Sequence, residues 1–363
     1  MATGRRNRPY VGEAAATSIG RVLRRDLICS LGVLGAAPLL GACKKGDGTA
    51  GTGSGPASEK KLRIAVVPKG TTHEFWKAVH AGAAKAAKEL NVEVIWKGPL
   101  KEDDLKSQVD LVQSFTAQGV SGLVLAPLND SALVAPVRAS VKAGVPVVIF
   151  DSDLKGSDHT SFVATDNVAA GRLAGEKLGS LLGGKGNVVL LRYQEGSAST
   201  HNREQGFLEA IRKFPDIKLV SDNQYGGATT ESAFAASENL LLAQNAGKGQ
   251  LQGAFCPNES TTFGMLLALE KAGLAGKLRF IGFDSSTKLI EGVRAGKIDG
   301  LVLQNPFNMG YLAVKTLVAH LKKEKVESRI DTGASLIDKA NMDQPEMKAL
   351  LSPPLAEWLG SAP

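Results

Sequence analysis

Asp151 closes the run Val145-Pro-Val-Val-Ile-Phe, and Asp284 closes Leu278-Arg-Phe-Ile-Gly-Phe. Each run reads as a buried strand that delivers one carboxylate to its C-terminal end. In open α/β sheets, ligands bind in the crevice beyond that end. More than a hundred residues separate the two aspartates, so the pattern suggests two sheets facing one cleft. Such a pair can accept hydrogen bonds from ligand hydroxyls. It can also run acid–base chemistry, as in a retaining glycosidase whose carboxyls sit about 5 Å apart. Taken singly, each Asp could equally start a turn or cap the next helix.

Other chemistry-bearing side chains fall just after strand-like runs. Thr72, His73, Phe75 and Trp76 follow the first. Arg203 follows a run beginning at Asn187, after a Gly/Ser-rich loop. Asn258 follows a run ending at Cys256, and Gln304 ends its own. Carboxylate, guanidinium and amide groups hydrogen-bond neighbouring hydroxyls in pairs, and aromatic faces pack on the C–H faces of a sugar ring. The set His73, Phe75, Trp76, Asp151, Arg203, Asn258, Asp284 and Gln304 therefore suits a small polyhydroxylated ligand. Each member also has a plainer role. One of Phe75 and Trp76 would be helix core, His73 and Asn258 would cap helices, Arg203 would pair with Glu204 or Glu195, and Gln304 would be a hinge contact. An enzyme is the weaker expectation: the chain shows no P-loop and no nucleophile motif, and His73, His80, His159, His201 and His320 lack metal-ligand spacing. No catalytic residue, metal or cofactor is expected.

These side chains need elements to hold them, and the pattern is strand then helix, repeated. Strand-like runs at 62–67, 92–96, 122–126, 145–150 and 161–164 alternate with helical stretches at 73–90, 103–117 and 131–143. Asp166-Asn167 reads as the cap of a helix reaching Leu182. The alternation restarts with strands at 187–191, 217–220, 252–255, 278–283 and 300–304, and helices at 202–214, 231–244, 260–272, 287–295 and 307–322. Short strands alternating with helices imply an α/β fold with doubly wound parallel sheets, here in two similar halves. Residues 343–358 are expected either as a short helix packed on one half or as a mobile segment.

The N-terminus carries a different message. Arg24-Arg25 precedes an uncharged stretch from Leu27 to Leu40, which ends in Leu40-Gly41-Ala42-Cys43. About fourteen apolar residues are too few to span a bilayer but suit a signal-peptide core. The small residues before Cys43 resemble a bacterial lipobox, which makes Cys43 a candidate lipidation site. Residues 44–60 have the composition of a flexible tether. The formal net charge of +7 divides into +4 on residues 1–42 and +3 on the remainder, without a basic block, so a nucleic-acid surface is not suggested. Of the three cysteines, Cys29 and Cys43 lie in the leader and Cys256 alone in the folded part, which excludes a disulfide there and reads as a small core residue.

Together these segments resemble the sugar-binding proteins of ABC transporters, of the ribose/galactose type with the type I periplasmic binding fold. The resemblance runs from about residue 61 to 337. It is carried by Phe75-Trp76 with Gly82, Ala126-Pro127 before Asp130-Ser131, Gly144-Val-Pro146 with Asp151, and Thr165-Asp166-Asn167. It continues in Arg203-Glu-Gln-Gly206-Phe207, Asn258-Glu259, Gly282-Phe283-Asp284, and Gln304-Asn305-Pro306 with Gly310. It implies that Phe75 and Trp76 sandwich a sugar ring while Asp151, Arg203, Asn258, Asp284 and Gln304 bind its hydroxyls. It implies two lobes joined by a three-strand hinge near Thr165, Gln304 and Gly333: 61–165 with 305–333, and 166–304 with 334–340, leaving 341–363 as a tail. It further implies a monomeric binding protein, lipid-anchored in the periplasm or at the cell surface, that delivers its ligand to a permease. The same fold can instead present its closed form to a chemoreceptor or histidine kinase. The sequence departs from the ribose pattern at Ser152, where Arg is usual, at Ala126 and at Thr72-His73, and an aromatic partner is shifted or absent near Tyr225, the candidate replacement. The Asp151 side is thus where a changed ligand preference is expected.

Overall fold

The computed structural model describes residues 61–360. The leader, the Cys43 motif and the tether lie outside these residues. The first half runs β1 (Arg63–Val67), α1 (Glu74–Glu89), β2 (Glu93–Trp96), α2 (Leu105–Ala117), β3 (Gly122–Leu125), α3 (Val134–Lys142), β4 (Val147–Phe150) and β5 (Ser161–Ala164). The second runs α4 (Asn167–Leu181), β6 (Lys185–Arg192), α5 (Ala198–Ile211), β7 (Asp216–Tyr225), α6 (Thr230–Ala243), β8 (Gly253–Phe255), α7 (Glu259–Lys271), β9 (Arg279–Phe283), α8 (Thr287–Arg294) and β10 (Gly300–Gln304). After these come α9 (Pro306–Leu321), β11 (Arg329–Asp331), β12 (Ala334–Ile337), α10 (Pro345–Leu351) and α11 (Leu355–Leu359).

The strands form two six-stranded sheets, ordered β11-β5-β4-β3-β1-β2 and β12-β10-β9-β8-β6-β7. The second order repeats the first position by position, so β4 and β9 are equivalents. The chain passes between the sheets after β5, after β10 and between β11 and β12. Helices on both faces bury the central strands completely, which is why those strands read as unbroken apolar runs. In β4, Val148 and Phe150 join one core cluster while Val147 and Ile149 join the cluster on the opposite face. The two doubly wound α/β lobes are as the sequence implies. One edge differs: β12 pairs antiparallel with β10, and the chain enters it from β11 of the other sheet through the short link at 332–333.

Two boundaries move in ways that matter for the site. Helix α5 begins at Ala198 rather than near residue 202. The segment Gly196-Ser-Ala-Ser-Thr200 has loop-like composition, yet Ser199 and Thr200 are buried in the first turn, where packing overrides propensity. Strand β7 spans ten residues rather than four; its polar, partly exposed C-terminal half follows β6 through two register shifts.

Helices α4 and α5 meet backbone to backbone. A Cβ on Gly171 would lie 2.0 Å from the Arg203 carbonyl oxygen, and one on Gly206 would lie 2.0 Å from that of Val168. Glycine at both contacts sets how closely α5, and with it Arg203, approaches the sheet. Beyond the second sheet, α10 inserts Leu351 into that sheet's core, and α11 packs along α1. Residues 343–358 are therefore two short helices with contacts in both halves, not one helix on a single lobe.

Candidate functional site

The eight residues singled out from sequence, His73, Phe75, Trp76, Asp151, Arg203, Asn258, Asp284 and Gln304, line one cavity between the two sheets, with about 320 Å³ of empty space. The two aspartates occupy equivalent places, at the ends of β4 and β9. Both have left-handed backbones, φ +60° at Asp151 and +65° at Asp284. Asp tolerates that region better than most residues, and the turn swings each carboxylate off the strand axis into the cavity. Asp284 is held by Gln304 Nε2 at 2.7 Å on one oxygen and by the Glu259 amide at 3.2 Å on the other, with Arg203 Nη1 at 4.0 Å. Burial pushes the Asp284 carboxyl above its usual pKa, opposed chiefly by Arg203.

Arg203 does not pair with Glu204 or Glu195 on the surface. It is buried, its Nε donates to Asn167 Oδ1 at 2.8 Å, and its Nη1 donates to the Pro257 carbonyl at 3.0 Å. Its guanidinium lies 4.0 Å from the centre of the Phe283 ring, a cation–π contact. Glu204 turns away to Arg192 at 2.8 Å. Asn258 keeps its plainer role as well, because its side-chain oxygen caps α7 at the Thr261 amide, 3.2 Å away. Arg203 Nη2 and Gln304 Oε1 are buried without a partner among the described residues. One is a free donor and the other a free acceptor.

Both aromatics line the cavity, so neither is confined to the helix core, the plainer role weighed for one of them. Phe75 and Trp76 meet edge to face, with centroids 4.8 Å apart at 89°. They therefore do not form the parallel sandwich the resemblance implies, and present one ring face and one ring edge instead. Trp76 is fixed by its indole N–H, which donates to Glu102 at 2.6 Å.

Sequence reasoning missed six further lining residues: Lys69, Glu102, Tyr193, Ser199, Thr200 and Glu259. Lys69 Nζ lies 3.0 Å from Asp151 Oδ2 and also donates to Ser199 at 3.0 Å and Ser197 at 3.3 Å. The cation beside Asp151 thus comes from the loop after β1, and the buried Ser152 accepts the Ser199 amide at 3.1 Å instead. Glu102 is a hub: besides Trp76 it binds His73 Nδ1 at 2.7 Å and the Tyr193 hydroxyl. Burial is the largest influence on both acid and base and opposes their charges. The mutual attraction outweighs it, raising His73 from 6.5 to about 9 and lowering Glu102 from 4.5 to about 2. Burial pushes Glu259 up to about 7. Lys69 and Tyr193 carried a usable signal, since both stand directly beyond β1 and β6. Glu102 sits in a charged loop that reads as solvated. Tyr225 is half exposed and lines a separate surface cleft, so the aromatic from the second half is Tyr193. Cys256 is buried in the core, as its apolar neighbours imply.

A second cavity of about 560 Å³ adjoins the first. It shares Phe75, Asp284 and Gln304 with it and is roofed by residues 350–353 and Leu355.

Comparison with known proteins places this geometry. Residues 64–325 match the profile of the periplasmic binding protein domain. The chain is 30% identical over 271 residues to the D-allose-binding periplasmic protein of Escherichia coli, covering 72% of this chain and 85% of that one. It is 28% identical over 272 residues to the xylitol-binding protein of Mycolicibacterium smegmatis, covering 75% and 76%. Among solved structures, a carbohydrate transporter solute-binding protein from Agrobacterium radiobacter in complex with D-arabinose superposes with a TM-score of 0.77 at 34% identity. That match covers 81% of this chain and 100% of the other.

Proposed function

This chain belongs to the periplasmic binding protein family, and from that membership we propose that it captures a neutral monosaccharide or sugar alcohol in the interlobe cavity and delivers it to an ABC transporter permease. The observation that carries this reading is the pairwise cancellation of charge around the cavity. Lys69 faces Asp151, His73 faces Glu102 and Arg203 faces Asp284; the remaining acid, Glu259, is pushed up to about 7 by burial and takes the Glu74 and Phe75 amides. With its charges compensated, the site offers donors and acceptors rather than net charge, and this favours hydroxyls over carboxylates or amines. Arg203 Nη2 and Gln304 Oε1 supply the free donor and acceptor that a hydroxyl, able to do both, would satisfy. The Phe75 and Trp76 rings cover the ligand's C–H surface, and the polar lining converges on them from both halves, as in sites for small polar ligands.

On this reading, His73, Phe75, Trp76, Asp151, Arg203, Asn258, Asp284 and Gln304 contact the ligand, and no bond is made or broken. The two halves close on it as a monomer, and the permease recognises the closed form. Cys43, acylated after removal of the leader, would hold the protein at a membrane surface through the 44–60 tether. The test is a melting-temperature panel of D-allose, D-ribose, D-arabinose and xylitol against D-glucosamine and D-gluconate. At least one neutral member is expected to raise the midpoint. A panel with no neutral response, or a response only to the charged members, would sink the reading.

A further inference from the structure

The mouth of the cleft carries a reciprocal arrangement that the ligand site does not need for its own hydrogen bonds. Glu259, at the start of α7 in the second half, reaches across to the start of α1 in the first. Its carboxylate accepts the Glu74 amide at 3.3 Å and the Phe75 amide at 3.2 Å. Glu74 reaches the opposite way, and its carboxylate accepts the Thr287 amide at 3.1 Å at the start of α8. The first amides of a helix have no acceptor within the helix, and a carboxylate there also meets the positive end of the helix dipole. Each half thus caps a helix belonging to the other.

We propose that Glu74 and Glu259 are positioning residues that latch the two halves shut around the ligand. The inference rests on the cleft being the capture site. It adds that closure is stabilised by hydrogen bonds the two halves make to each other. The latch is tied to the site by covalent adjacency: Glu259 follows Asn258 and donates its own amide to Asp284, while Glu74 precedes Phe75. Groups that close on the ligand therefore seat the latch in the same movement. When the halves separate, both carboxylates and the helix-start amides return to water, so the latch adds stability to the closed state alone.

The test uses cross-linking without any ligand. A Cβ on Gly196 would lie 3.7 Å from that of Asn129, in the opposite half, a spacing that suits a disulfide; the left-handed Gly196 backbone, φ +84°, strains a cysteine there, and the parent carries the same strain as every variant compared with it. In an Asn129→Cys/Gly196→Cys background with Cys29→Ser and Cys43→Ser, oxidation traps only closed molecules, and Cys256 is too buried to compete. Adding Glu259→Gln or Glu74→Gln removes a carboxylate oxygen and a charge while keeping side-chain size. Each is expected to slow cross-linking roughly three- to tenfold, and the pair together to slow it further. Melting curves of the reduced proteins confirm that the variants are folded. Cross-linking at the parent rate in both single variants would overturn the latch, and so would a parent that never cross-links, since the closed geometry would then be absent. Repeating the parent measurement with D-allose, D-ribose, D-arabinose and xylitol reads the sugar proposal separately. Acceleration supports that proposal, and its absence leaves the latch result standing.

Discussion

Glu102 carries more of the site than any residue foreseen from the sequence. It orients Trp76 and His73 from its own half and receives the Tyr193 hydroxyl from the other. Removing one partner of a buried ion pair leaves the other uncompensated, so Glu102→Gln is expected to cost about 3–5 kcal/mol of unfolding free energy, read by denaturant titration. A result within 0.5 kcal/mol (roughly the noise for a surface substitution) would mean the pair is solvated. The pH dependence follows with its sign. His73, raised to about 9, contributes stability that is complete below 6.5 and lost as pH climbs through 9. Glu102, lowered to about 2, contributes stability complete above 4.5 and lost as pH falls through 2. Between these limits, roughly pH 4.5 to 6.5, the pair is at full strength. Glu259, raised to about 7, disfavours the folded form increasingly as pH rises from 4.5 through 7. The melting midpoint should therefore fall between pH 6 and 9, and His73→Gln should flatten that fall; a midpoint that rises over this range would contradict the assignment. Asp151, Asp284 and Gln304 were legible because they directly end strands, where a side chain must face the cleft. Glu102 and Glu259 were not, because a carboxylate in a charged loop or at a helix start looks the same in sequence whether water or a neighbouring half covers it.

At the scale of elements, the position of Arg203 depends on how α5 lies against α4. Ala at Gly171 would place a methyl 2.0 Å from the Arg203 carbonyl, forcing the helices apart. Gly171→Ala is expected to destabilise by about 1–3 kcal/mol and to weaken ligand binding as well, through displacement of the guanidinium. Equal stability to wild type, read by denaturant titration, would contradict the close approach. The alternating strands and helices were legible from β1 to α9, since buried parallel strands are apolar runs. The start of α5 was missed because Gly196-Ser-Ala-Ser-Thr200 has the composition of a loop and becomes helical through burial. Strands β11 and β12 were missed because both are short and only partly buried, without an apolar run to mark them.

For the whole molecule, the tail beyond Lys339 joins both halves. Leu351 sits in the core of the second sheet, while Trp358 lies over Lys88 of α1, with Nζ 5.4 Å from the ring centre. The tail also roofs the cavity beside Asp284 and Gln304. Deleting residues 344–363 should lower the melting midpoint, by roughly 2–4 °C for each kcal/mol of packing lost. An unchanged midpoint would mean the tail adds nothing to the fold. All these devices serve one claim, that two sheets close a charge-compensated cavity on a neutral polyhydroxylated molecule. Titration calorimetry with the neutral sugar panel tests it most directly, run on wild type and Asp284→Ala. One-to-one binding of at least one neutral monosaccharide or sugar alcohol is expected, weakened about 10- to 100-fold or more by the substitution. No heat with any neutral member, or undiminished affinity in Asp284→Ala, would contradict it.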